Sequence, residues 1–141
     1  MAEYTAVQAQ TVAANGAVNF SEAPSPCGKG YICHREGSGL FTLRGITNQC
    51  RARYRATFGA NIAIPAGGTV EAISIALALD GEPLGSATAI VTPAAVDNFF
   101  NVFAILEANV PKGCCMSLSV RNTSTQPITV QNANLVIDRT A

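Results

Sequence analysis

Apolar and polar residues alternate with a period of two along most of this chain, and helical spacing is rare. Between residues 50 and 58, Cys50, Ala52, Tyr54, Ala56 and Phe58 share one side, and Arg51, Arg53, Arg55 and Thr57 share the other. Between residues 70 and 79, Ile73, Ile75, Leu77 and Leu79 alternate with the smaller Ala72, Ser74, Ala76 and Ala78. Further on, Cys114, Met116, Leu118 and Val120 oppose Cys115, Ser117, Ser119 and Arg121. Successive side chains of a strand point to opposite faces, so each run predicts a strand with one core face. Turn-forming residues separate the runs: Pro65 to Gly68, Asp80 to Pro83, Pro111 to Gly113, and Asn122 to Pro127. Asp80-Gly81 between two apolar runs is a strong hairpin signal.

The pattern places strands near residues 4–13, 17–20, 30–35, 39–44, 50–59, 70–79, 86–92, 99–110, 114–121 and 128–138. Residues 92–96 read as a loop, because Pro93 interrupts a short Ala-rich stretch. Many strands without helices between them predict an all-β, single-domain β-sandwich, and eight or more suggest a jelly roll. Residues 1–15 are expected to form an N-terminal strand or arm of that same domain, able to dock onto a neighbour or a shell. Residues 16–141 form the jelly roll itself.

The run from 99 to 110 differs from the others. Phe100, Val102, Ala104, Leu106 and Ala108 make a core face, yet the opposite side carries Phe99, Phe103 and Ile105 among Asn101 and Glu107. A strand apolar on both faces is one buried on both. In a two-layer sandwich the outer face is covered only by another molecule or by a covering segment. Phe99, Asn101, Phe103 and Ile105 are therefore expected at an oligomer interface.

Composition sharpens this. Of 141 residues, 48% are hydrophobic and 13% charged, the latter about half the usual ~25%. A disordered chain needs the opposite balance. Nine basic and nine acidic residues cancel, so nucleic acid and anionic lipid are not expected partners. The longest apolar stretches, 73–79 and 102–106, fall far short of the ~20 residues of a membrane helix. So few charges suit an amide-rich exterior or a surface partly buried against copies of itself, and self-association is the preferred reading. The opening residues Met1 to Thr5 lack the basic and apolar regions of an export signal, so synthesis in a cytoplasm is expected.

Three short patterns carry a resemblance. Gly39, Phe41 and Leu43 fit a G-x-F-x-L strand, Tyr54 and Phe58 a following Y-x-V-x-F strand, and residues 133–137, from Ala133 to Ile137, a closing A-N-L-x-V strand. In this the chain resembles the tumour-necrosis-factor-like jelly rolls, most of all the heads of collagen-like exosporium proteins and complement-type heads. Ala56 and Ile137 stand where the patterns have valine, and there is no Gly-X-Y repeat of a stalk. The resemblance implies a homotrimer in which one sheet of each subunit packs round a threefold axis. Free-standing heads of this kind resemble those of bacteriophage virions, where they serve as capsid decorations or head fibres.

Candidate chemistry is sparse. Cys27, Cys33, Cys50, Cys114 and Cys115 contain no C-x2-C pair, and their plain reading is as buried small hydrophobes, with Cys114 on a core face. In the implied jelly roll Cys50 lies near Cys114 and Cys115, so these, and Cys27 with Cys33, are disulfide candidates in oxidising surroundings. His34 follows Cys33 directly, but neighbours on a strand face opposite ways and cannot form a nucleophile–base pair. No G-x-S-x-G elbow, calcium loop or phosphate-cradling glycine loop occurs, and no metal or cofactor is expected. Arg51, Arg53 and Arg55 aim three cations at one side of a sheet, either to contact an anion or acidic partner or to pair with Glu107 or Asp138. The expectation is a non-enzymatic, self-assembling protein of a particle surface. A bacteriophage capsid decoration or head fibre docked on a major capsid protein comes first, with a spore- or cell-surface subunit or a carbohydrate- or receptor-binding head as alternatives.

Overall fold

The structure, a computed structural model, describes residues 2–25, 30–35 and 37–140. Eleven strands among these residues form two layers: β1 (Ala2–Ala6), β2 (Gln10–Val12), β3 (Glu22–Ser25), β4 (Ile32–His34), β5 (Phe41–Arg44), β6 (Arg51–Ala63), β7 (Ile73–Leu79), β8 (Glu82–Val91), β9 (Phe100–Pro111), β10 (Cys115–Asn122) and β11 (Ile128–Arg139). The first sheet runs β3-β1-β11-β6-β9, with β2 also paired to β11; the second runs β4-β5-β10-β7-β8. All these pairings are antiparallel. The architecture is the all-β jelly roll that the alternation predicts.

The inner faces fill one core. Tyr54, Phe58 and Ile62 of β6 and Leu135 and Ile137 of β11 meet Phe41, Leu43, Ile75, Leu77 and Leu118 from the other layer, all fully buried. Tyr54 reaches the end of this core, where its hydroxyl donates to Arg44 O at 2.6 Å. Phe20, His34 and Tyr4 gather round Phe41, with the imidazole stacked 4.0 Å from the Phe41 ring.

Several boundaries differ from the sequence pattern for identifiable reasons. The single run expected at 4–13 is two strands, because β11 bulges between Gln131 and Asn134, with Asn132 in the left-handed region. Asn132 N donates to Val7 O there, so β1 and β2 pair with the two halves of β11 on either side of the bulge. Residues 17–20 make one bridge, Ala17 to Arg121, while Val18 and Phe20 still turn inward and are buried. The edge strand β3 escapes the pattern, being polar and holding Pro24, which an edge tolerates. β8 begins earlier than expected for the same reason: Pro83 and Gly85 sit on an edge strand. Its hairpin turn has positive φ at both Asp80 and Gly81, the signature of a type I′ turn.

Three face assignments are corrected. Cys50 and Cys114, placed on core faces by alternation, are exposed, because each lies just outside its strand where the chain bends. Phe100 is partly exposed at the open end of the edge strand. Ala76 and Ala78, expected on the solvent side of β7, are buried, since their methyl groups lie low between flanking strands that carry Arg121, Ser119 and Thr88 in register.

Candidate functional site

Strand β9 is the outer edge of the first sheet, paired on one side only, to β6. Its inward residues Val102, Ala104, Leu106, Ala108 and Val110 are buried. On the outward side Phe103 is 72% exposed and Ile105 49%, and Phe99, just before the strand, is 43% exposed. Asn101 lies on that same side, so Asn101, Phe103 and Ile105 form one outward strip, with Phe99 exposed at its start, and among the described residues none covers it. Burying a Phe or Ile side chain is worth about 1.5–3 kcal/mol, which makes the strip a sizeable unused source of association energy.

The strip adjoins a shallow groove of about 430 Å³ in the outer face of the sheet. Register explains the groove. Asn134, Gly59 and Phe103 form one cross-strand row, and Val136, Thr57 and Ile105 the next. Gly59 contributes no side chain, so the row dips between Asn134 and Phe103. An amide ladder closes one end: Asn101 Nδ2 donates to Asn61 Oδ1 at 3.1 Å, and Asn61 Nδ2 to Asn132 Oδ1 at 3.2 Å. Asn134 Nδ2 donates to Glu3 Oε2 at 2.9 Å, while its Oδ1 is buried and accepts nothing among the described residues. Gly59, Asn61 and Asn132 do not stand out in the sequence, and Asn134 does so only within the closing strand pattern; the available signal was a glycine inside a strand without a turn.

Arg51, Arg53 and Arg55 project from β6 onto this face, all exposed. Arg55 pairs with Glu107 at 2.9 Å, the only salt bridge among the described residues. Both partners remain about half exposed, and such surface pairs contribute at most about 1 kcal/mol. Asp138 is the other cross-strand neighbour of Arg55.

The thiols are not gathered into a site. Cys33, Cys50, Cys114 and Cys115 are free and exposed, so the plain reading of them as buried hydrophobes does not hold, and Cys27 lies outside the described residues. Cys50 does neighbour the turn before Cys114: its carbonyl accepts from Lys112 N at 3.0 Å. Cys33 faces out while His34 turns in, with Nδ1 and Nε2 each 3.2 Å from a backbone carbonyl, of Leu40 and Phe20. No nucleophile–base pair forms there. Among the described residues no group of three or more His, Cys, Asp and Glu is placed to hold a metal.

A second concavity, about 450 Å³, opens at one end of the sandwich between Tyr31, Ile46, Thr47, Asn48, Gln49 and Arg139. The Arg139 guanidinium lies 4.1 Å above the Tyr31 ring, a cation–π stack that fixes its plane. This cluster too was not singled out by the sequence, because Tyr31 and Arg139 are more than a hundred residues apart.

Comparison with solved structures agrees with the architecture. The chain is similar to the Eiger tumour necrosis factor of S. frugiperda, with a TM-score of 0.69 at 12% identity over 99% of this chain and 91% of that one. It is also similar to the globular domain of the zebrafish complement 1qA protein, with a TM-score of 0.55 at 10% identity over 96% and 94%. No family model and no curated protein sequence matches the chain. The fold is thus the jelly roll shared by tumour-necrosis-factor-like and complement-type domains, as the three strand patterns implied.

Proposed function

We propose that this chain is a non-enzymatic structural head that works as a homotrimer, using the outer face of the β3-β1-β11-β6-β9 sheet as its contact. The observation that carries this reading is the uncovered strip on β9. Phe103 and Ile105 stand out from a strand whose other side already fills the core. A threefold ring needs two unlike surfaces per subunit, so that each contact is head to tail and the rotation closes. The strip and the groove beside it supply such a pair. The two similar folds support the reading.

The place we propose for the trimer is a particle surface, a bacteriophage capsid decoration or head fibre bound to a major capsid protein, with a spore or cell surface as the alternative. Zero formal net charge and a charged fraction of 13% support an exterior that repels little and packs densely. Sedimentation equilibrium of the purified chain at micromolar concentration tests the trimer: a mass three times 14.6 kDa is expected, and a single-chain mass contradicts it. Labelling purified particles with an antibody to the chain tests the location; absence from every particle fraction contradicts it.

A ligand-binding head is the second reading, favoured by the end concavity. Its stacked Arg139 and Tyr31 beside Thr47, Asn48 and Gln49 suit a polar or anionic sugar. Glycan-array binding that is lost in Arg139→Ala supports this reading, and a blank array removes it.

A further inference from the structure

Gly59 sits inside the thirteen-residue strand β6, where a glycine weakens pairing and packs nothing. The described residues of its own subunit give no reason for it. Its φ is not in the left-handed region, and a Cβ built there would meet only Val102 O, at 3.9 Å. A strand glycine with neither a turn nor internal crowding to explain it marks a place where another group approaches the backbone closely. The groove above it is where that group would lie.

The chemistry of the face selects the occupant. Arg51, Arg53 and Arg55 share it with Glu3, Asp138 and Glu107, so both signs are presented side by side. An acidic or a basic partner would meet repulsion from half of these groups, whereas a second copy brings both signs and can match them. The most exposed large apolar side chain of the described residues is Phe103, on this same face. Resting on the self-association reading above, we propose that the groove over Gly59 is a socket for the Phe103 ring of a neighbouring copy. The socket explains the glycine and the exposed ring together. It makes Gly59 the residue that permits close approach at the axis.

The experiment compares the solution mass of the intact wild-type chain with that of Gly59→Leu. A Cβ at this position makes one ordinary contact, 3.9 Å from Val102 O, on a backbone without positive φ, so the fold is expected to be kept while the side chain fills the socket. The expected result is a threefold mass for wild type and a single-chain mass for the variant, with matching circular dichroism. Thr57→Phe fills the same groove from its rim and repeats the test if Gly59→Leu fails to fold. A threefold mass in wild type and in a folded groove-filling variant overturns the socket and leaves self-association standing. A single-chain mass in wild type overturns both.

Discussion

Asn122 of β10 donates its side-chain amide to Val12 O of β2 at 3.1 Å, and so ties the second sheet to the first. The same nitrogen lies 3.3 Å from Ala13 O and 2.9 Å from Gln126 O, and the carboxamide oxygen accepts from Ser124 N at 2.9 Å. One fully buried side chain thereby satisfies backbone groups of two separate segments, the end of β2 and the turn after β10. Asn122→Ala leaves those groups in a dry site, where each lost partner costs about 1–3 kcal/mol. Urea denaturation is expected to show a loss of about 2–4 kcal/mol. A loss below about 1 kcal/mol would mean that water replaces the amide and that the tie is dispensable.

The β7–β8 hairpin gives a backbone prediction. Gly81 has φ +83°, and a Cβ there meets no neighbour, so the position is governed by conformation alone. Gly81→Ala is expected to lower stability by about 1–2 kcal/mol, the cost of the left-handed region for an L-residue. An unchanged midpoint in thermal unfolding would contradict the type I′ assignment.

The two cysteines on the second sheet, Cys33 and Cys115, are predicted not to bridge each other. Cys33 is in register with Thr42, and Cys115 with Arg44, so strand β5 lies between them. Two strand spacings come to about 9–10 Å, beyond the ~7 Å limit for bridging α-carbons. Peptide mapping after air oxidation is expected to find no Cys33–Cys115 bridge, and to find any bridge formed by Cys50 at Cys114 or Cys115. A Cys33–Cys115 peptide would show that β4 or β10 is misplaced.

Much of this fold was legible because alternation is enforced wherever one face is buried. β6, β10 and β11 announced themselves by a greasy side and a polar side, β7 by large residues alternating with small ones, and β9 by two apolar sides. What stayed hidden depends on partners distant in sequence. The β11 bulge that splits β1 from β2 rests on Asn132, an ordinary-looking residue in a strand run. The exposure of Cys50 and Cys114 follows from bends that parity counting does not register. The strip Phe99, Asn101, Phe103 and Ile105 was readable from one strand alone, since two apolar faces on one run are visible without its neighbours. The groove was not, because it arises from Gly59 lying opposite Phe103 and beside Asn134, a relation set by register.

The central claim is that the outward side of β9 is covered by sister copies. Its most direct measurement is the mass in solution, by light scattering, of wild type against the double variant Phe103→Asp, Ile105→Asp, at equal micromolar concentration. Both positions are on the exposed side of the strand, so the subunit core is untouched. The account predicts three chains per particle for wild type and one for the variant, with the same β-sheet spectrum. Equal masses for the two proteins would contradict it.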